Sequence, residues 1–354
     1  MIRTYQQLLR LAFVGSVLLP LATQITSAGS IQGAFDGEGQ LTTISFLLVA
    51  VGCGIAILKY ADRLMAGVTR ESAAQAEFLD TLQEKWVPSA VAVAAGLSLF
   101  LELAVIRWHG SMFEFFAFYK NFSLLACFAG LGIGYALSRS RDGVLLCATI
   151  PLLAWQMILL TFIRYGLARW QNVSLQGVPF REQLHMGLMR SSGLGAVTVY
   201  LLLAVVFLLT ALAFLPLGQV CGRLMERGKT LESYGWNVAG SLAGVLAMFL
   251  ASCLWTPPVV WFSAGCLTLL YFVVRQKKSL LAAASGAVIV LVILAWPVNP
   301  LWNRVYSPYQ LVEVGYGERG LLMIRAAGQY YQRVHNFLDG SGNSNGQTVR
   351  VRNY

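Results

Sequence analysis

The sequence predicts an all-α polytopic membrane helix bundle of about nine spans followed by a short β-hairpin module. Three observations predict it. Of 354 residues, 57% are hydrophobic and only 12% are charged, about half the charged share of a soluble domain. Apolar stretches of membrane length recur from residue 11 to residue 297. Beyond them, from Tyr306 to Tyr354, the pattern becomes short alternating runs broken by glycine, the period of strands and turns.

About 20 apolar residues cross a bilayer as a helix, because such a segment satisfies every backbone polar group internally. The stretches that qualify are 11–28, 41–59, 87–106, 115–137, 144–163, 194–217, 234–254, 257–274 and 279–297. The first follows Arg3 and Arg10 and ends near Thr26-Ser27-Ala28; it reads as a retained first helix or as a cleaved signal peptide. Several Trp fall at segment ends, where interfacial anchors belong.

Basic residues set the expected orientation. Arg3/Arg10, Lys59/Arg63/Arg70, Arg139/Arg141, Arg223/Arg227/Lys229 and Arg275/Lys277/Lys278 occupy alternate connections, with Asp36 and Glu38 opposite. A cytoplasmic amino terminus in a bacterial-type inner membrane follows, and nine crossings from there place the tail on the outer side. Two connections are long enough for structure. In 60–86, Leu64, Val68, Phe78 and Leu82 form one apolar stripe, so an amphipathic surface helix is expected. Residues 165–192, with Arg169, Trp170, Pro179, Arg181, His185 and Arg190, read as an outer loop over the helix mouths.

Composition also excludes functions. The net charge of +10 lies in clusters between apolar segments, as loops carry it, so no nucleic-acid partner is expected and the lipid bilayer is. The cysteines Cys53, Cys127, Cys147, Cys221, Cys253 and Cys266 stand singly without C-x-x-C spacing and read as small packing residues. His109, His185 and His335 are far apart, so spacing supports no metal site.

Four intramembrane polar residues call for explanation: Glu102, Arg107, Lys120 and Asn237. A carboxylate within lipid is costly unless it faces other helices or water and finds a cation. Arg107 and Lys120 are the candidate partners for Glu102, either as a relay for protons or substrate or as an ion pair that fixes packing. Asn237, with Tyr234 and Trp236, places polar groups at a helix entrance. Gly130, Gly132 and Gly134 imitate half of a dinucleotide fingerprint, but no strand precedes them. With Gly240 and Gly244 they read as close-packing positions or as a substrate or lipid contact.

In the tail, 310–314 and 321–325 alternate with a strand period and enclose the glycine-rich turn GYGERG, which predicts a β-hairpin. A two-stranded hairpin is marginal in water unless it packs on something else. SGNSNGQTVRVRNY has the composition of a flexible linker. The expected domains are therefore a transmembrane helical domain at 1–298, a strand module at 299–340, and a linker or truncated end at 341–354.

The runs GLSLFLELAVIRWHG and SYGWNVAGSLAGVL, with the glycine-rich helix ending in Ser138-Arg139, resemble the membrane domains fused to spermidine-synthase-like proteins, which carry a major-facilitator-like part. Tyr306-Ser307-Pro308-Tyr309-Gln310, a strand pair, and then Gly328 to Gln332 resemble the amino-terminal strand module of the spermidine and spermine synthase family. The resemblance implies that Gln310, with Tyr309, helps bind the aminopropyl donor, decarboxylated S-adenosylmethionine, and that Gln332 matches the glutamine after the second strand. It also implies a nucleotide-binding α/β domain as partner. This chain departs from the family at Ala326-Ala327-Gly328, where soluble members have Leu-Asp-Gly. No glycine-rich strand-to-helix turn and no downstream acidic base follow, so no catalytic residue is assigned and the chain alone is expected to be catalytically incomplete. The alternative function is a small-cation or polyamine transporter using Glu102, or a non-catalytic membrane scaffold.

Overall fold

The computed structural model describes residues 2–27, 39–138, 143–163, 193–296, 302–316, 322–326, 329–334, 343–344 and 347–348. Its helices are α1 (Ile2–Ser27), α2 (Gly39–Asp80), α3 (Val87–Met112), α4 (Glu114–Phe118), α5 (Lys120–Ala136), α6 (Thr149–Thr161), α7 (Gly193–Arg227), α8 (Thr230–Cys253), α9 (Pro258–Val273) and α10 (Lys277–Ala295). The strands are β1 (Trp302–Tyr306), β2 (Leu311–Tyr316), β3 (Leu322–Ala326), β4 (Gln329–Val334), β5 (Asn343–Ser344) and β6 (Gln347–Thr348).

Each predicted apolar stretch contains helix, but the expected count of about nine spans is not reached. Among the described residues, five helical segments are long and apolar enough to cross a membrane: Thr4–Thr23, Glu84–Met112, Val197–Arg227, Thr230–Cys253 and Lys277–Ala295. The apolar helices α6 and α9, at 13 and 16 residues, fall short of the roughly 20 that a span requires. Apolar composition alone could not measure helix length. The predicted span 41–59 and the predicted surface helix that follows it merge into α2, one helix of 42 residues.

Helix α7 is the spine of the bundle, packing against α5, α1, α6 and α3, while α8 packs along α3. Two seams depend on glycine. A Cβ on Gly240 or Gly244 of α8 would collide with the backbone of Ala92 or Gly96 in α3, and one on Gly130 or Gly134 of α5 would collide with carbonyls of α7. Close backbone approach is how helices associate in lipid, where burying apolar surface brings no advantage. The packing reading of these glycines therefore holds. Gly132 faces open space. Helix α1 packs as a bundle member: Ala12 and Leu19 are fully buried, and the Tyr5 hydroxyl donates to the Leu212 carbonyl at 3.1 Å.

The carboxyl-terminal half of α2 lies across one end of the bundle. Gln75 donates to the Phe272 carbonyl at 3.0 Å, Ser279 to Glu71 at 2.8 Å, and Arg227 to the Leu82 carbonyl at 2.6 Å. Arg223 grips Asp80 with two hydrogen bonds, at 2.8 and 2.6 Å. The basic groups 223–229 and 275–278 gather at this end. Cys127, Cys221 and Cys266 are buried and unbridged, in agreement with a packing role. Trp86, Trp255 and Trp296 are exposed at helix ends.

The strand module is larger than the expected hairpin. Strands β1 to β4 form a four-stranded antiparallel meander in the order β1-β2-β3-β4. The predicted pair corresponds to β2 and β3, with Val314 opposite Ile324. The flanking strands come from Trp302–Tyr306, brought back by the turn at Ser307–Gln310, and from the aromatic-rich Gln329–Val334. Both flanks are rich in strand formers but lie outside the alternating core of the tail. Within the segment expected to be a linker, Asn343 pairs with Thr348 and Ser344 with Gln347. The expected outer loop 165–192 lies outside the described residues.

Candidate functional site

The strand module sits where α3 ends and α5 and α9 begin, at the opposite end of the bundle from the basic connections. Ser307 shapes the turn between β1 and β2: its hydroxyl donates to the Gln310 carbonyl at 2.8 Å and accepts from the Gln310 amide at 3.2 Å. Such a side-chain turn holds the chain reversal that Pro308 also favours. In β2, Leu311 and Glu313 are buried. Glu313 faces Arg304 across the strands, with Nε to Oε1 at 3.2 Å.

Arg107 joins bundle and sheet. Its guanidinium donates to the Ser252 hydroxyl of α8 and, at 2.7 Å, to the Ser307 carbonyl in the turn. The cation lies over the Trp261 ring of α9, 4.5 Å from the centroid, and the same ring meets Tyr306 edge-on at 6.3 Å. An arginine can serve all three contacts because its fork is planar and its face stacks. Beside it opens a cleft of about 100 Å³ lined by Arg107, Lys120, Trp261, Tyr306, Tyr309 and Gln310, among others. Four of the residues singled out in the sequence, Arg107, Lys120, Tyr309 and Gln310, therefore share one site.

The other three lie elsewhere. Gln332 stands in β4 opposite Ile324, two strands over and four residues along from Gln310. The backbone separation is on the order of 15 Å. Asn237 accepts a hydrogen bond from the Tyr135 hydroxyl at 3.1 Å and so ties α8 to α5. Glu102 is 2% exposed, and its Oε2 atom has no hydrogen-bond partner. The expected ion pair of Glu102 with Arg107 or Lys120 is not formed. Arg107 is directed to the strand module instead, because a separation of five residues turns it away from Glu102 on the helix.

Sequence reasoning also missed a buried network. His109 Nδ1 and the Ser123 hydroxyl are 2.9 Å apart, His109 Nε2 and Gln156 Nε2 are 3.1 Å apart, and Gln156 donates to Thr210 at 2.8 Å. These residues come from α3, α5, α6 and α7 and all are buried. If Gln156 donates to Nε2, the proton of the neutral ring sits on Nδ1 and faces Ser123. The available signal was a polar residue within each of four apolar helices. Among the described residues, no group of three or more His, Cys, Asp or Glu is placed to hold a metal.

No family model, curated protein or solved structure matches this chain.

Proposed function

We propose that this chain is the membrane-embedded part of a spermidine-synthase-like protein of a bacterial-type inner membrane. In this reading the helix bundle anchors the strand module, which presents Tyr309 and Gln310 to decarboxylated S-adenosylmethionine. A nucleotide-binding α/β partner supplies the base that aminopropyl transfer needs. The observation that carries the reading is the Arg107 contact to the carbonyl of Ser307, which fixes the Ser-Pro-Tyr-Gln turn against the membrane domain. Gln310 contributes a neutral amide to the cleft.

The reading makes a demand on sidedness. Basic connections favour the cytoplasm, and the sheet lies at the opposite end of the bundle, whereas the donor is cytoplasmic. The test uses native membranes, assayed for aminopropyl transfer from the donor to putrescine with the chain intact or carrying Gln310→Ala. Transfer that depends on the chain and falls at least tenfold in the variant supports the reading. Transfer that is absent or indifferent to Gln310, or labelling of Tyr309→Cys by an impermeant maleimide in intact cells, overturns it.

The unpartnered Oε2 of Glu102 favours a second reading, transport of a small cation such as a polyamine. Unchanged polyamine flux into proteoliposomes on Glu102→Gln would exclude this route.

A further inference from the structure

Four sources of positive potential converge on the cleft at the junction of bundle and sheet. Arg107 and Lys120 are two of its walls, and Lys120 opens α5 while Pro258, also a wall, opens α9. Helix amino termini carry a partial positive charge. Among the described residues, none that lines the cleft is a carboxylate. Among the described residues Arg107 and Lys120 make no ion pair; Arg107 is held instead by a hydroxyl, a carbonyl and an aromatic face. Two cations facing one small space repel each other, and a partly buried guanidinium has lost hydration that a carbonyl replaces only in part.

We propose that this cleft binds a phosphate group, seated between Arg107 and Lys120 with Tyr309 and Gln310 at its mouth. The chemistry of the walls fits an oxyanion: a planar fork, a mobile ammonium, and hydroxyl and amide donors at the rim. A volume of about 100 Å³ admits one such group and little more. Two sources share this chemistry: the headgroup of an anionic phospholipid, which the site could reach from the bilayer surface, and a free phosphate. The inference does not rest on the aminopropyl reading; it concerns the charge of the cleft, which any ligand at Gln310 would meet.

The test uses the full chain in detergent, stripped of lipid, with Lys120→Gln and Lys120→Arg beside the wild type. Lys120 is exposed at a helix start, so both variants are expected to fold, and circular dichroism checks this. One arm titrates inorganic phosphate by calorimetry. The other adds phosphatidylglycerol or phosphatidylcholine and counts retained lipid by native mass spectrometry. Saturable binding in either arm, weakened roughly tenfold or more by Lys120→Gln, as the loss of one charge-assisted hydrogen bond implies, and retained by Lys120→Arg, supports the site. The arm that responds names the source. Binding in neither arm, or binding that Lys120→Gln leaves unchanged, overturns it.

Discussion

Arg107, near the end of α3, donates to the carbonyl of Ser307 at 2.7 Å across 200 positions of chain. This contact converts a marginal meander into a docked one, since the same guanidinium also holds α8 through Ser252 and stacks on Trp261 of α9. Arg107→Ala is expected to loosen the sheet while leaving the bundle folded. Hydrogen exchange should speed up in residues 302–316 by a factor corresponding to about 1.5–3 kcal/mol, the worth of a hydrogen bond to a charged group. Peptides from α5 and α7 should not change. Equal protection of 302–316 in variant and wild type would show that the turn is held by other contacts.

The α3–α8 seam gives a paired prediction. Gly244→Ala pushes a methyl into the backbone of Gly96 and should cost about 1–3 kcal/mol, the usual penalty of overpacking. Gly132→Ala meets open space and should be neutral or stabilise by a few tenths through helix propensity. Reversible unfolding in mixed micelles compares them. Equal effects would mean that the seam relaxes freely.

Gln156 bridges His109 and Thr210 between three helices. Gln156→Leu keeps the apolar volume but leaves the ring nitrogen without its partner. A loss of about 1–2 kcal/mol is expected, within the range for hydrogen bonds between membrane helices. Full stability of the leucine variant in the same unfolding assay would show that the network is energetically idle.

The Asp80–Arg223 contact has a defined pH dependence. The guanidinium of Arg223, hydrogen-bonded to both carboxylate oxygens, holds the Asp80 carboxyl below its ordinary range. A lowered folded value means that the unfolded chain binds the proton first as pH falls. The contribution is thus complete above the ordinary carboxylate range, near pH 4, and fades as pH drops through the folded value. Asp80 is half exposed, so the effect should stay below about 1 kcal/mol. Thermal unfolding should separate wild type from Asp80→Asn at pH 7, and the gap should narrow as pH falls below about 4. A gap that does not narrow with acidification would assign the difference to packing.

Much of the architecture was readable because lipid imposes one rule on backbone groups. Long apolar runs such as 194–217 and 279–297 had to become helices. Their number as full spans was less readable. Pro257 and Pro258 start α9 where they stand, and the turn after Val273 ends it, so an 18-residue apolar stretch yields a shorter helix. In the tail, alternation in β2 and β3 was visible, whereas β1 and β4 acquire strand pairing only from neighbours. Arg107 and Lys120 stood out as charges within apolar segments, and Tyr309 and Gln310 only through the family resemblance. What joined them was the return of the chain from α10 to the end of α3, a tertiary event with no local trace. Glu102 was identified as costly, but the direction of its would-be partner depended on helical phase and on the Ser307 carbonyl.

One consequence follows from α2. At 42 residues it measures about 60 Å, twice the roughly 30 Å of a bilayer's hydrocarbon slab. It is therefore a strut that cannot be housed within the lipid, and its far end is latched to α7, α9 and α10 through Arg223, Arg227, Gln75 and Ser279. The part that lies outside such a slab must be held by protein, and the latch residues, far from the sheet, supply that hold.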